Sequence, residues 1–194
     1  EALDFVFDSI SSISTIKGFN AAMLLPDGTI WKRASGLSTE IPFNLPLSTE
    51  HLMGMGSITK SFVSTTLLLL YEEGLLDLGD SIGKFVGPYT NIPGHVTIRQ
   101  LLSHRSGIND YLNENPAMVN AWAANLDSIW VMDTILNNYV LQPNFPVDAS
   151  WSYSNTNYLL AGRIIENITG QPWYEVVRNK LIDPLGLSHT FAYP

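Results

Sequence analysis

The sequence contains no cysteine among its 194 residues. That excludes a disulfide framework, a thiolate zinc site and a cysteine nucleophile. It fits a protein exported by a bacterium without demonstrating one. Charge is scarce: charged residues make up 14%, and 18 Asp and Glu outweigh 10 Lys and Arg, for a net charge of −8. An acidic chain without a basic run is poorly suited to a phosphate backbone, so no nucleic-acid partner is expected. Long apolar runs are lacking too. The longest, Phe62 to Tyr71, is interrupted by Ser and Thr and falls short of the ~20 residues a membrane-spanning helix needs. No transmembrane segment is expected. The opening Glu1-Ala2-Leu3-Asp4 has neither the basic nor the apolar region of a signal peptide, so a signal was removed or none existed. The four histidines show no metal-ligand spacing, and neither a His-Glu-x-x-His nor a Gly-x-Ser-x-Gly segment occurs. No metal or cofactor is implied.

What is present is a globular composition, 45% apolar, long enough for one domain or for one and part of another. Leu3, Val6, Phe7, Ile10 and Ile13 recur near helical spacing, which predicts an amphipathic helix over 3–16 that ends at Gly18. Two short strand-like runs, 19–25 and 29–35, flank the turn signal Pro26-Asp27-Gly28. Residues 36–55, dotted with Pro42 and Pro46, read as loop with room for one short strand. A helix then begins at Ser57, with Ile58, Phe62, Val63, Leu67, Leu70 and Tyr71 on its apolar face and Gly74 at its end. Further helices are expected at 98–104 behind Thr97, at about 128–138 behind Asp127 or Ser128, at 156–169 before Gly170, and at 172–181. A single hairpin is marginal in water, and this chain offers one hairpin followed by helices, so its sheet looks unfinished.

Ser57-Ile58-Thr59-Lys60 puts a hydroxyl and an amine on one helical face. Ser-x-x-Lys alone is unspecific, since Ser14 to Lys17 and Ser81 to Lys84 match it as well. Ser57 differs in its surroundings. It follows Gly54-Met55-Gly56, which permits close backbone approach by a ligand, and it opens a long, nearly uncharged helix. Lys60 lies in the first turn, where the helix dipole disfavours a cation. An amine kept neutral there could take a proton from Ser57. Ser57 as an ordinary N-cap and Lys60 as a surface lysine remain open. Tyr153-Ser154-Asn155 forms a second constellation. Tyr89-Thr90-Asn91 and Tyr111-Leu112-Asn113 share its spelling, but Tyr153 ends a Pro- and Asn-rich loop at a helix start. Taken alone, Asn155 capping that helix and Tyr153 packing is the simpler reading. His104 is read as holding a turn.

Taken together, these segments resemble a known family. Met55 to Phe62, Gly74 to Asp80, Val96 to Gly107, Trp151 to Tyr158 and Pro184 to Thr190 are similar, in order and spacing, to the serine β-lactamases and penicillin-binding proteins, in the branch of class C enzymes, D-alanyl-D-alanine carboxypeptidases and esterases. The resemblance implies an α+β, β-lactamase/transpeptidase-like fold, with a helical subdomain and an incomplete antiparallel sheet. Residues 1–50 would carry the first helix and hairpin of the α/β subdomain, and residues 51–194 the helical subdomain. It implies Ser57 as nucleophile, Lys60 as its proton-accepting partner, Tyr153 as general base or acid, and Asn155 as a partner of substrate and lysine. The activity implied is acyl transfer through a covalent acyl-enzyme on a peptide, β-lactam or ester carbonyl, with a small-molecule or peptide substrate, in a periplasmic or secreted setting. A catalytically incompetent fragment or a sensor module binding a cell-wall ligand is the alternative. The family's third motif, Lys-Thr-Gly or His-x-Gly on a later strand, does not occur before Pro194. The expectation is therefore a fragment, or one of two chains, completed by a C-terminal part.

Overall fold

The computed structural model describes residues 2–13, 15–39 and 42–193. Its contacts divide them into two compact units that meet in sequence between Gly54 and Met55.

In the first unit, helix α1 (Ala2–Ser11) precedes strands β1 (Gly18–Leu24) and β2 (Ile30–Gly36). The strands pair antiparallel with Gly18 opposite Gly36 and Leu24 opposite Ile30, forming the one sheet among the described residues. At the connecting turn, an Asp27 carboxylate oxygen accepts the Thr29 N–H at 2.9 Å and its hydroxyl at 2.6 Å, an Asx arrangement that the Pro-Asp-Gly signal anticipates. Phe7, buried on α1, packs on Phe19 and edge-on to Trp31 at centroid distances of 4.6 and 5.8 Å. Arg33 ties β2 to Asp4 and Asp8 of α1 at 3.1 and 3.2 Å.

Helix α1 is shorter than its apolar spacing predicts. Ser9, Ser11 and Ser12 donate their hydroxyls to the carbonyls of Phe5, Phe7 and Ser9 at 2.8, 2.9 and 2.7 Å. Serine hydroxyls that compete for main-chain groups disfavour helix continuation. Of the Ser14 to Lys17 match, Ser14 lies outside the described residues.

The second unit is helical: α2 (Thr59–Glu72), α3 (Ile98–Leu102), α4 (Pro116–Ala124), α5 (Met132–Asn138), α6 (Asn155–Thr169) and α7 (Trp173–Val177). A 3₁₀ turn, Gly56–Ile58, leads into α2, and a π-helical turn, Arg178–Ile182, continues α7. The core is built around α6. Leu160, Ala161, Ile164 and Ile165 are fully enclosed and meet Val63, Leu67 and Leu70 of α2 and Ile98 and Leu101 of α3. Burying each such Leu or Ile contributes on the order of 1.5–3 kcal/mol. The inward face of α2 is Val63, Thr66, Leu67 and Leu70, whereas Ile58 and Tyr71, assigned to that face by periodicity, are exposed.

Thr97 caps α3 by a capping box: its hydroxyl accepts the Gln100 N–H at 3.2 Å while the Gln100 side chain accepts the Thr97 N–H at 3.0 Å. Gly170 ends α6 in the left-handed conformation, φ 68°. Helix α5 starts at Met132 without a side-chain cap, four residues later than expected, so neither Asp127 nor Ser128 caps it. Helix α4 was not foreseen, although Asn115, whose side chain accepts the Ala117 N–H at 2.9 Å, and Pro116 at the first turn are its start signal.

Candidate active site

Ser57 sits in the 3₁₀ turn that starts the α2 helical segment and is exposed, while Lys60, one turn on, is half-buried. The loop before α6 brings Tyr153 to the same point. Ser57 Oγ lies 2.7 Å from Tyr153 Oη, and Lys60 Nζ donates to Ser57 Oγ at 3.2 Å and to Asn155 Oδ1 at 2.7 Å. Tyr153 Oη also reaches Asn155 Oδ1 at 3.4 Å. All four residues singled out in the sequence therefore meet in one hydrogen-bonded cluster. The Lys60 amine also lies over the rings of Tyr153 and Tyr158, 5.0 and 5.6 Å from their centroids.

The other Ser-x-x-Lys matches differ. Lys84 pairs with Asp80 at 2.8 Å in a 3₁₀ turn, and Ser14 lies outside the described residues. Of the other Tyr-x-Asn matches, Tyr89 donates its hydroxyl to Asp133 at 2.9 Å, and the Tyr111 main-chain N–H bonds Thr156 Oγ1 at 3.1 Å. Among the described residues no group of three or more His, Asp and Glu side chains is placed to hold a metal ion.

Two residues outside the sequence-derived set support the cluster. His104 adopts φ 58° and stacks on Tyr153 at 4.7 Å, and its Nδ1 accepts the Ser154 N–H at 3.1 Å. Accepting at Nδ1 places the ring proton on Nε2 in the neutral form. Burial pushes the His104 imidazole below the ordinary histidine range; the Lys60 charge acts in the same direction, and the Asp110 charge partly opposes both.

Asp110, 1% exposed, accepts the Asn155 carboxamide Nδ2 at 3.1 and 3.0 Å, one contact to each carboxylate oxygen. The segment carrying it is held by Gly107, at φ 73°, where a Cβ would come within 2.1 Å of the Phe145 carbonyl oxygen. Only glycine meets both conditions. His104 had been assigned a turn-holding role from sequence. Asp110 had not been singled out, and its only signal was its place three residues past the Ser106-Gly107 stop.

Comparison with known proteins gives the family of the chain. A β-lactamase family profile matches residues 13–194. Penicillin-binding protein 4* of Bacillus subtilis (strain 168) is 30% identical over 181 residues, covering 90% of this chain and 38% of the relative. A D-stereospecific amidohydrolase from Streptomyces sp. superposes with a TM-score of 0.74 at 32% identity, over 89% of this chain and 51% of that one. The D-amino acid amidase from Ochrobactrum anthropi SV3, complexed with D-phenylalanine, gives a TM-score of 0.76 at 26% identity, over 100% of this chain and 55% of that one. The chain spans less than half the length of the curated relatives just below it in similarity as well, 34% and 48%. With a profile that runs from residue 13 to the last residue and a fold shared with these hydrolases, the chain belongs to the β-lactamase family.

Proposed function

We propose that this chain carries the nucleophile-bearing part of a serine hydrolase that acts through a covalent acyl-enzyme on a peptide, β-lactam or ester carbonyl. The observation that carries this reading is the cluster itself: an exposed Ser57 oxygen 2.7 Å from a phenol oxygen and 3.2 Å from an amine that Asn155 anchors at 2.7 Å. A serine hydroxyl is a weak nucleophile until a neighbouring base takes its proton, and both candidates for that base are within reach.

In the proposed cycle, Ser57 Oγ attacks the carbonyl carbon while its proton passes to Lys60 in its neutral form or to Tyr153 as its phenolate. The developing oxyanion is met by the Ser57 main-chain N–H, free to point outward at the start of a helical segment. Collapse breaks the bond to the leaving group, which takes the stored proton from whichever of the two holds it. Water, deprotonated by the same pair, then attacks the ester carbonyl, and Ser57 leaves with a proton restored. Asn155 anchors Lys60 throughout and lies beside the substrate. The amidase and penicillin-binding relatives favour an amide or lactam carbonyl, and a periplasmic or secreted location suits that substrate class. Completion by a C-terminal part, as a continuation or a second chain, belongs to this reading: one main-chain donor makes half an oxyanion hole.

Reaction with a fluorophosphonate or a fluorescent penicillin, followed by peptide mass mapping, tests the proposal. Adduct is expected on Ser57 and is expected to vanish in Ser57→Ala. An unmodified Ser57 in the whole protein, or an adduct elsewhere that survives Ser57→Ala, would mean a non-catalytic binding module.

A further inference from the structure

We propose that Asp110 is a positioning residue for this site: its buried carboxylate holds the Asn155 carboxamide in the one orientation that presents Oδ1 to Lys60. The inference rests on the acyl-transfer reading above but adds a residue that reading does not use.

A carboxamide has two ends of almost equal size, one that accepts and one that donates, so only its neighbours decide which way it points. A carboxylate only accepts. Both Asp110 oxygens lie at 3.1 and 3.0 Å from Asn155 Nδ2, which forces the nitrogen towards Asp110 and turns Oδ1 to the Lys60 amine at 2.7 Å. A flipped Asn155 would set its oxygen against the carboxylate and its NH₂ against the amine, losing three hydrogen bonds in a half-buried place. That loss costs more than making them gains, because buried polar groups would be left unpaired.

The carboxylate is itself held still. It accepts the N–H groups of Leu112 and Asn113 at 3.0 and 3.4 Å and the Asn113 side-chain amide at 2.6 Å. The main chain on both sides is clamped to the start of α6. The Asn109 carbonyl accepts from Ser154 Oγ at 3.3 Å and Thr156 Oγ1 at 2.6 Å, and Tyr111 N–H donates to Thr156 Oγ1 at 3.1 Å. Among the described residues no Lys or Arg forms an ion pair with Asp110. Its negative charge is instead faced by Lys60 across the Asn155 carboxamide. A merely structural carboxylate needs its main-chain partners only. This one, beside those partners and the Asn113 side chain, also presents both oxygens to the residue that anchors the lysine.

The test is a double-mutant cycle on the rate of Ser57 modification by a fluorophosphonate in the whole protein. Asp110→Asn is expected to slow modification tenfold or more in the wild-type background and to have no further effect in Asn155→Ala. Asp110→Glu, which keeps the charge and moves the oxygens, is expected to slow it as well, and serves if Asp110→Asn fails to fold. Equal slowing in both backgrounds, or none in either, overturns the proposal while leaving Ser57 as the nucleophile. Should wild-type Ser57 not react, the acyl-transfer reading falls on its own, and side-chain amide NMR of the 194-residue chain decides the positioning claim. The Asn155 NH₂ signals, identified by their loss in Asn155→Ala, are expected to exchange with solvent at least tenfold faster in Asp110→Asn or Asp110→Glu. Unchanged exchange overturns it.

Discussion

The Lys60 amine is held in place from several sides. It lies over the faces of Tyr153 and Tyr158, at 5.0 and 5.6 Å, and donates to the Asn155 oxygen at 2.7 Å and to Ser57 Oγ at 3.2 Å. His104 titrates beside it, and its consequence for stability has a definite sign. Its folded-state titration lies below the unfolded value of about 6.5, chiefly through burial, then through the Lys60 charge and against that of Asp110. Below the unfolded value the unfolded chain binds the proton first, so the stability His104 contributes is full above about pH 6.5 and is lost as the pH falls through the folded value. Protonation would also put a hydrogen on Nδ1 where the Ser154 N–H already points, at 3.1 Å. We expect the melting temperature to drop between pH 7.5 and 5.5 and to drop less in His104→Asn, since asparagine tolerates the positive φ of 58°. Equal drops in the two proteins would remove His104 from this account.

At the scale of elements, the site is where two helix starts and one tight loop converge. The 3₁₀ turn before α2 presents Ser57, the first turn of α6 presents Asn155, and the loop from Ser103 to Leu112 braces the start of α6. That loop depends on Gly107. Gly107→Ala adds a Cβ 2.1 Å from the Phe145 carbonyl oxygen at φ 73°, so it is expected to destabilise by more than ~1 kcal/mol in urea unfolding. Gly87→Ala, with nothing within 4 Å of its Cβ, is expected to be neutral or mildly stabilising. Similar losses for the two would show that the loop relaxes freely. The sequence made α6 legible because its signals are local: an apolar period and a left-handed glycine stop. Ser57, Lys60, Tyr153 and Asn155 were legible through their surroundings and the order of their segments along the chain, not through a spelling that Ser81 to Lys84 and Tyr89 to Asn91 share. Asp110 was not, because its partner lies 45 residues away and no local pattern encodes that meeting. Helix α1 was overextended because apolar spacing says nothing of serine hydroxyls bonding back to the main chain. Helix α5 was begun too early because Asp127 and Ser128 are good cap types in a stretch where Trp130 instead packs edge-on against Tyr139, at 5.8 Å.

For the whole molecule, the decisive feature is that every member of the α6-centred core and every member of the candidate site lies beyond Met55. The unit before it has one helix and two strands, with Phe7 its most enclosed aromatic at 3% exposure. Two strands and a single packed ring rarely sustain a fold in water, whereas a core that encloses Leu67, Leu70, Leu160, Ile164 and Ile165 completely can. The units should therefore differ in autonomy. A chain starting at Met55 is expected to keep its helical circular dichroism and a cooperative melt, with the Asn155 side-chain amide still slow to exchange, while residues 1–54 alone are expected to show neither helix signal nor transition. If the longer piece instead binds a hydrophobic dye and melts without cooperativity, the helical core needs the hairpin unit to form, and the site geometry would then be a property of the two together.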